Sequence, residues 1–234
     1  MRKVFSRVLI AAGAALLLFA CASFVYNRVY DQRAGQRAND LLEQMMAEFD
    51  WDLPPLSEMT HTSERTVSIR PSGNAASPDS EIDPADSDDI PGGEDASATS
   101  IEPAAPPVFS TIGIISIPAL GVRLPVISEW SDELLEISVC RLSGLVDEKP
   151  IRLVIIGHNI RSHFGGLDNL QLGDEVAFTT RDGVTFFYAA TEITDLHRTG
   201  GADVLAATGW DLTLITCKTD RTMRTMIRFA EVVD

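Results

Sequence analysis

Three residue types suited to acyl transfer stand at or beside the ends of apolar runs in the last third of the chain. Cys217 closes Leu212-Thr213-Leu214-Ile215-Thr216-Cys217 and is followed at once by the polar Lys218-Thr219-Asp220. A thiol at a strand end reaches a cleft, and Lys218 and Arg221 nearby favour the thiolate, the form that attacks carbonyls. The competing reading is a small core residue, the commoner fate of cysteine in an apolar strand. His158 follows Val154-Ile155-Ile156-Gly157, with Gly157 letting the backbone turn sharply before the loop. Loop histidines are more often solvated surface groups, but His158 is set apart from His163 and His197 by its place at a strand terminus. Arg221, Arg224 and Arg228 follow in the last segment. Each is by default a surface charge, yet a hairpin from Cys217 into the final strand brings at least one guanidinium beside the thiol. A guanidinium is always charged and rich in donors, which suits the oxyanion of an acyl transfer.

Other chemistries fit less well. His158 and His163 lie five apart in a glycine-interrupted loop with no HExxH context, so no chelating helix face forms and neither a metal nor another cofactor is expected. A net charge of −15 argues against nucleic acid, because phosphate binding relies on Lys/Arg patches. Cys21, Cys140 and Cys217 are too few for a disulfide framework. A Cys140–Cys217 bridge would consume the candidate nucleophile, so both are read as free thiols.

The elements that must position these residues begin after Pro107. Short apolar or alternating runs separated by turn residues predict strands at Thr111–Ile117, Val122–Ile127, Ile151–Ile156, Asp174–Thr180, Val184–Asp195, Asp211–Cys217 and Met223–Val233. This spacing indicates a mainly antiparallel β barrel or sandwich. Short helices are expected at Ser131–Ser138, where Ser131-Asp132-Glu133 has N-cap character, and near Phe164–Leu170. Asp182-Gly183 between two β-prone triplets is a hairpin signal.

Ahead of this domain, Val8–Tyr26 is a charge-free apolar run of 19 residues preceded by Arg2, Lys3 and Arg7. That length spans a bilayer core as helix, and the basic cluster places residues 1–7 in the cytoplasm and the rest outside. We read 8–30 as an uncleaved transmembrane signal anchor. Cleavage at Ala20-Cys21-Ala22, or lipidation of Cys21, would export the domain equally. Residues 31–53 place Leu41, Leu42, Met45, Met46 and Phe49 at helical spacing and form a juxtamembrane helix ended by Pro54-Pro55. Residues 54–107 hold eleven Asp/Glu against two Lys/Arg. Rich in Ser, Pro, Gly and Ala, this stretch is read as a disordered, self-repelling linker, with a regulatory lid as the alternative.

The combination resembles the sortase family. The carriers of the resemblance are Ile156-Gly157-His158-Asn159, Thr213-Leu214-Ile215-Thr216-Cys217 and Arg224-Thr225-Met226-Ile227, in that order. Ile112-Gly113-Ile114-Ile115-Ser116-Ile117-Pro118 with Leu124-Pro125-Val126 is similar to the family's opening strands, and Phe164-Gly165-Gly166-Leu167 with Leu172-Gly173-Asp174-Glu175-Val176 to the segment after its histidine. The resemblance covers about residues 110–234 and the anchor, within a catalytic domain read as 108–234, and leaves the stalk unexplained. It implies a mainly β fold, an eight-stranded barrel with one or two short helices, behind a transmembrane helix and stalk. It also selects Arg224 among the three arginines, with only six residues separating it from Cys217.

By the same resemblance the protein is a membrane-anchored cysteine transpeptidase. Cys217 is the nucleophile, His158 the acid/base, Arg224 the oxyanion donor and Thr216 an aid in holding the substrate. Its partners are exported proteins with C-terminal LPxTG-like sorting signals, and an amine from a cell-wall peptide or a pilin lysine. Two alternatives are a surface cysteine peptidase that transfers to water, and a non-catalytic tethered β-domain.

Overall fold

The computed structural model describes residues 2–49, 51, 53–59, 109–147, 149–197, 210–217 and 222–232. Most of the acidic linker, together with Lys218, Asp220 and Arg221, lies outside the described residues. Eight strands close into one barrel: β1 (Thr111–Ile117), β2 (Val122–Ile127), β3 (Val139–Val146), β4 (Pro150–Gly157), β5 (Glu175–Thr180), β6 (Thr185–His197), β7 (Leu212–Cys217) and β8 (Met223–Glu231). Their order around the barrel is β1-β2-β3-β4-β7-β8-β6-β5. Six neighbouring pairs are antiparallel. The β2–β3 and β4–β7 pairs are parallel.

Alternation decides what each strand buries. Leu153, Ile155, Leu212, Leu214, Ile227 and Phe229 belong to the cluster that fills the barrel. The intervening Val154, Ile215 and Met226 form a second apolar patch with Leu142 and Leu196 on the other face. Strands covered on both faces read as continuous apolar runs, which is why β4 and β7 stand out in the sequence. The Asp182-Gly183 hairpin joins β5 to β6, with Gly183 at φ 81°.

One strand departs from expectation. β3 was not foreseen because Ser143 and Gly144 interrupt its pattern, and its pairing to β4 shifts register at Arg141/Ser143 and again at Ser143/Leu145. Such bulges break the period-two signal. Around the barrel, α2 (Asp132–Leu135) is capped by Ser131, whose Oγ accepts from Leu134 N at 3.2 Å. The segment after Phe164 contains a single 3-10 turn, Leu167–Asn169.

The expected pair of N-terminal segments is one uninterrupted helix, α1 (Arg2–Phe49). At 1.5 Å per residue its 48 residues extend about 72 Å. Its apolar half is long enough to cross a membrane by length and composition, and Leu16, Leu17, Leu18, Phe19 and Phe24 stand exposed on it. Its second half lies against the barrel, burying Ala34, Ala38 and Met45.

Candidate active site

Strand pairing assembles the site. Because β4 and β7 run parallel, their C-terminal ends reach the same end of the barrel, with Gly157 opposite Thr216. Continuing that register by one residue sets His158 beside Cys217 on strands about 4.8 Å apart. β7 and β8 are antiparallel, and their last matched pair is Cys217 with Arg224. Thiol, imidazole and guanidinium therefore come from three adjacent strand ends. By alternation they share the outer face with Val154, Ile215 and Met226, so a buried apolar floor lies directly down-strand of the thiol.

Two local features fix this meeting point. Thr216 is buried and its Oγ1 donates to Gly157 O at 3.0 Å, tying the β7 end to the β4 end. Its hydroxyl is thus engaged in holding strands together, on the face opposite Cys217 by alternation. Gly157 serves close approach and not a sharp turn, for it has no positive φ. A Cβ there would come within 2.7 Å of the Phe164 ring and of Val139.

The remaining candidates separate clearly. Cys217 is partly exposed and Arg224 is buried at 6% exposure. Arg224 Nε has no acceptor among the described residues. Arg228, four matched pairs down the strand opposite Thr213, instead meets Glu192 at 3.3 Å and covers the Trp210 ring at 5.3 Å. Cys21, Cys140 and Cys217 are all free. Cys140 is wholly buried and its thiol is pushed up to about 12 by that burial, which keeps it an inert thiol at neutral pH.

Burial also lowers the His158 pKa, while the carboxylates Glu136 and Asp132 pull it back up. The imidazole is thereby held as a neutral base at pH 7 until a proton is delivered to it. Sequence reasoning passed over His163, which is fully buried with its ring parallel to His158 and 6.5 Å away. Neither His163 nitrogen completes a hydrogen bond among the described residues. Burial, reinforced by His158, lowers its pKa to about 4, with Ile137, Asp31 and Glu136 opposing.

This histidine gives a stability prediction with a definite sign. Between its ordinary value and about 4 the unfolded chain binds a proton that the folded protein refuses, so unfolding free energy rises with pH across that window. Acidification from pH 6.5 towards 4 is expected to remove on the order of 3 kcal/mol through this group alone. Denaturant titrations of wild type and His163→Gln at several pH values check it, and an equally steep loss in the variant would contradict it.

Among the described residues no group of three or more His, Cys, Asp or Glu is gathered to hold a metal. Comparison with known families gives a match to the sortase domain over residues 115–233, about half of the 234-residue chain. The chain belongs to the sortase family. Family members are cysteine transpeptidases, and the eight-stranded barrel is the sortase fold. Among solved structures it is similar to a lid mutant of sortase A from Corynebacterium diphtheriae, with 24% identity over 55% of this chain and 73% of that one and a TM-score of 0.49. A pilus-related sortase C of Group B Streptococcus gives 26% identity, 53% and 68% coverage and a TM-score of 0.48. A Clostridium perfringens sortase D5 transpeptidase gives 24% identity, 53% and 79% coverage and a TM-score of 0.47. Comparison with curated proteins finds no match.

Proposed function

We propose that this sortase is held in the membrane by residues 8–30, faces the extracytoplasmic side, and transfers the acyl part of an LPxTG-like sorting signal to an amine through a thioester on Cys217. In this reading residues 31–53 are the juxtamembrane helix, 54–107 the spacer and 108–234 the catalytic domain. The observation that carries it is the convergence of Cys217, His158 and Arg224 at neighbouring strand ends over an apolar floor. Cys217 passes its thiol proton to His158, the thiolate attacks the Thr carbonyl carbon, and the oxyanion forms against Arg224. Collapse breaks the Thr–Gly C–N bond as His158 gives its proton to the leaving amine. A second amine then attacks the thioester carbonyl as His158 takes its proton, the C–S bond breaks, and the released Cys217 thiolate recovers that proton from His158. The Val154, Ile215 and Met226 floor suits the apolar Leu-Pro portion of such a signal.

The experiment is a product assay on full-length protein in detergent, with a library of LPxTG-like peptides and a cell-wall-type or lysine amine. Mass spectrometry is expected to find cleavage after Thr and an amide product whose yield rises with amine. Free acid as the sole product, unaffected by amine, would replace this reading by a peptidase that transfers to water.

A further inference from the structure

The loop that begins at His158 is fastened to α1 from outside the barrel. Inside the loop, Phe164 N donates to His158 O at 3.1 Å, and His163 N and Gly165 N both donate to Ile160 O, at 2.9 and 2.8 Å. Phe164 is buried at 0% exposure, so the base of the loop is gripped by the core. Its tip has a different anchor. The Asp31 carboxylate Oδ1 accepts from Ser162 N at 2.9 Å and from Ser162 Oγ at 2.7 Å, and that hydroxyl also lies 3.1 Å from the Asp31 carbonyl oxygen.

The helix is shaped for this contact. A mid-helix glycine is disfavoured relative to alanine by about 1 kcal/mol. Yet Gly35 sits one turn beyond Asp31, where a Cβ would stand 3.0 Å from Ser162 Cβ. Ala34 and Ala38, both buried, lie on the side of the helix covered by the domain. The helix reaches the site a second way, through α2: Tyr30 Oη donates to Glu136 Oε1 at 3.1 Å and Arg37 Nη1 to Glu136 Oε2 at 3.3 Å. Glu136 is a carboxylate that favours protonated His158.

We propose that the part of α1 emerging from the apolar half is a positioning element for the catalytic histidine, with Asp31 as the positioning residue that sets the His158 loop through Ser162. The inference rests on the role given to His158 above. It makes the membrane anchor part of the catalytic machinery: a domain cut free of α1 would keep its thiol but lose the outer hold on its acid/base loop.

The test uses the full chain in nanodiscs, with three substitutions and two readouts. Asp31→Asn is expected to lower kcat for peptide-to-amine transfer about tenfold with KM within about twofold, since small misplacements of a reacting group act on the chemical step. Ser162→Ala keeps the backbone donor and loses less, and adding it to Asp31→Asn lowers kcat no further. Arg181→Ala loosens the far end of the same helix, where Arg181 meets Glu48 at 3.8 Å and Phe49 at 4.9 Å, and leaves kcat within twofold.

The second readout is the imidazole titration of His158 by NMR, which needs no turnover. The groups facing it are Glu136 and Asp132 on α2, His163 in its own loop, Cys217 on β7 and Arg224 on β8. Asp31 favours protonated His163 in the same loop, so loss of its charge does not raise the titration, and an upward move towards the solvated value reports loosening of the loop. Unchanged kcat and titration in Asp31→Asn, or an equal fall in Arg181→Ala, overturns the proposal. A transfer-competent Cys217→Ala would instead sink the functional reading, while the titration still decides the positioning role.

Discussion

Cys217→Ala is expected to lose transpeptidation by about 10⁴-fold or more, the scale on which removal of a covalent nucleophile acts. The expectation follows from where the three thiols lie. Cys140 cannot substitute, because it is buried at 0% exposure and burial pushes its thiol up to about 12. Cys21 stands in the apolar half of α1, well before the first helix residues that pack on the barrel. Only Cys217 is both partly exposed and paired across the sheet with an arginine. Intact-mass measurement after incubation with peptide is expected to show an acyl adduct on wild type, discharged by amine, and no adduct on the variant. Wild-type rates of amide formation by Cys217→Ala would dismantle the assignment, whereas loss of adduct with normal folding isolates the chemical step.

The strands that carry the candidate site were readable in advance because the physics there is local. β4 and β7 are covered on both faces, so they appear as unbroken apolar runs. A run that stops abruptly at His158 or Cys217 marks a strand end at a cleft. What could not be read is what joins distant segments. The parallel β4–β7 pairing that places the two ends together leaves no local trace, and the bulged β3 hides its alternation behind Ser143 and Gly144. Helical spacing after Asp31 drew attention to Leu41, Leu42, Met45, Met46 and Phe49. Yet the helix meets the His158 loop through Asp31 and Gly35, the latter a residue whose value there is its small size. Asp31 and Ser162 are separated by 131 positions, and neither belongs to a recognisable pattern. The part of Thr216 in holding substrate comes from the resemblance alone, and the bond its hydroxyl donates to Gly157 O, across two segments far apart in the chain, has no sequence signal.

Arg224→Ala is expected to lower kcat by about 10²–10³ while changing KM much less, the signature of a donor used in the transition state. The choice between the arginines turns on register and on what each guanidinium already meets, since an unmatched Nε is common to both. Arg228 meets Glu192 at 3.3 Å and lies over Trp210, so its guanidinium serves the β6–β8 surface. Its replacement by alanine should cost about 1 kcal/mol or less of stability and little catalysis. Arg224 is buried at 6% exposure with Nε unmatched among the described residues. A buried donor without an acceptor is costly unless something else supplies one. A developing oxyanion one strand-spacing from Cys217 is such an acceptor, present only while the reaction proceeds. Arg224→Lys retains the charge but not the planar fork, so it should recover part of the loss. Steady-state kinetics of Arg224→Ala, Arg224→Lys and Arg228→Ala, measured with one peptide and one amine, separate the two positions. A larger kcat loss at Arg228 than at Arg224 would move the oxyanion site down the strand, away from the thiol.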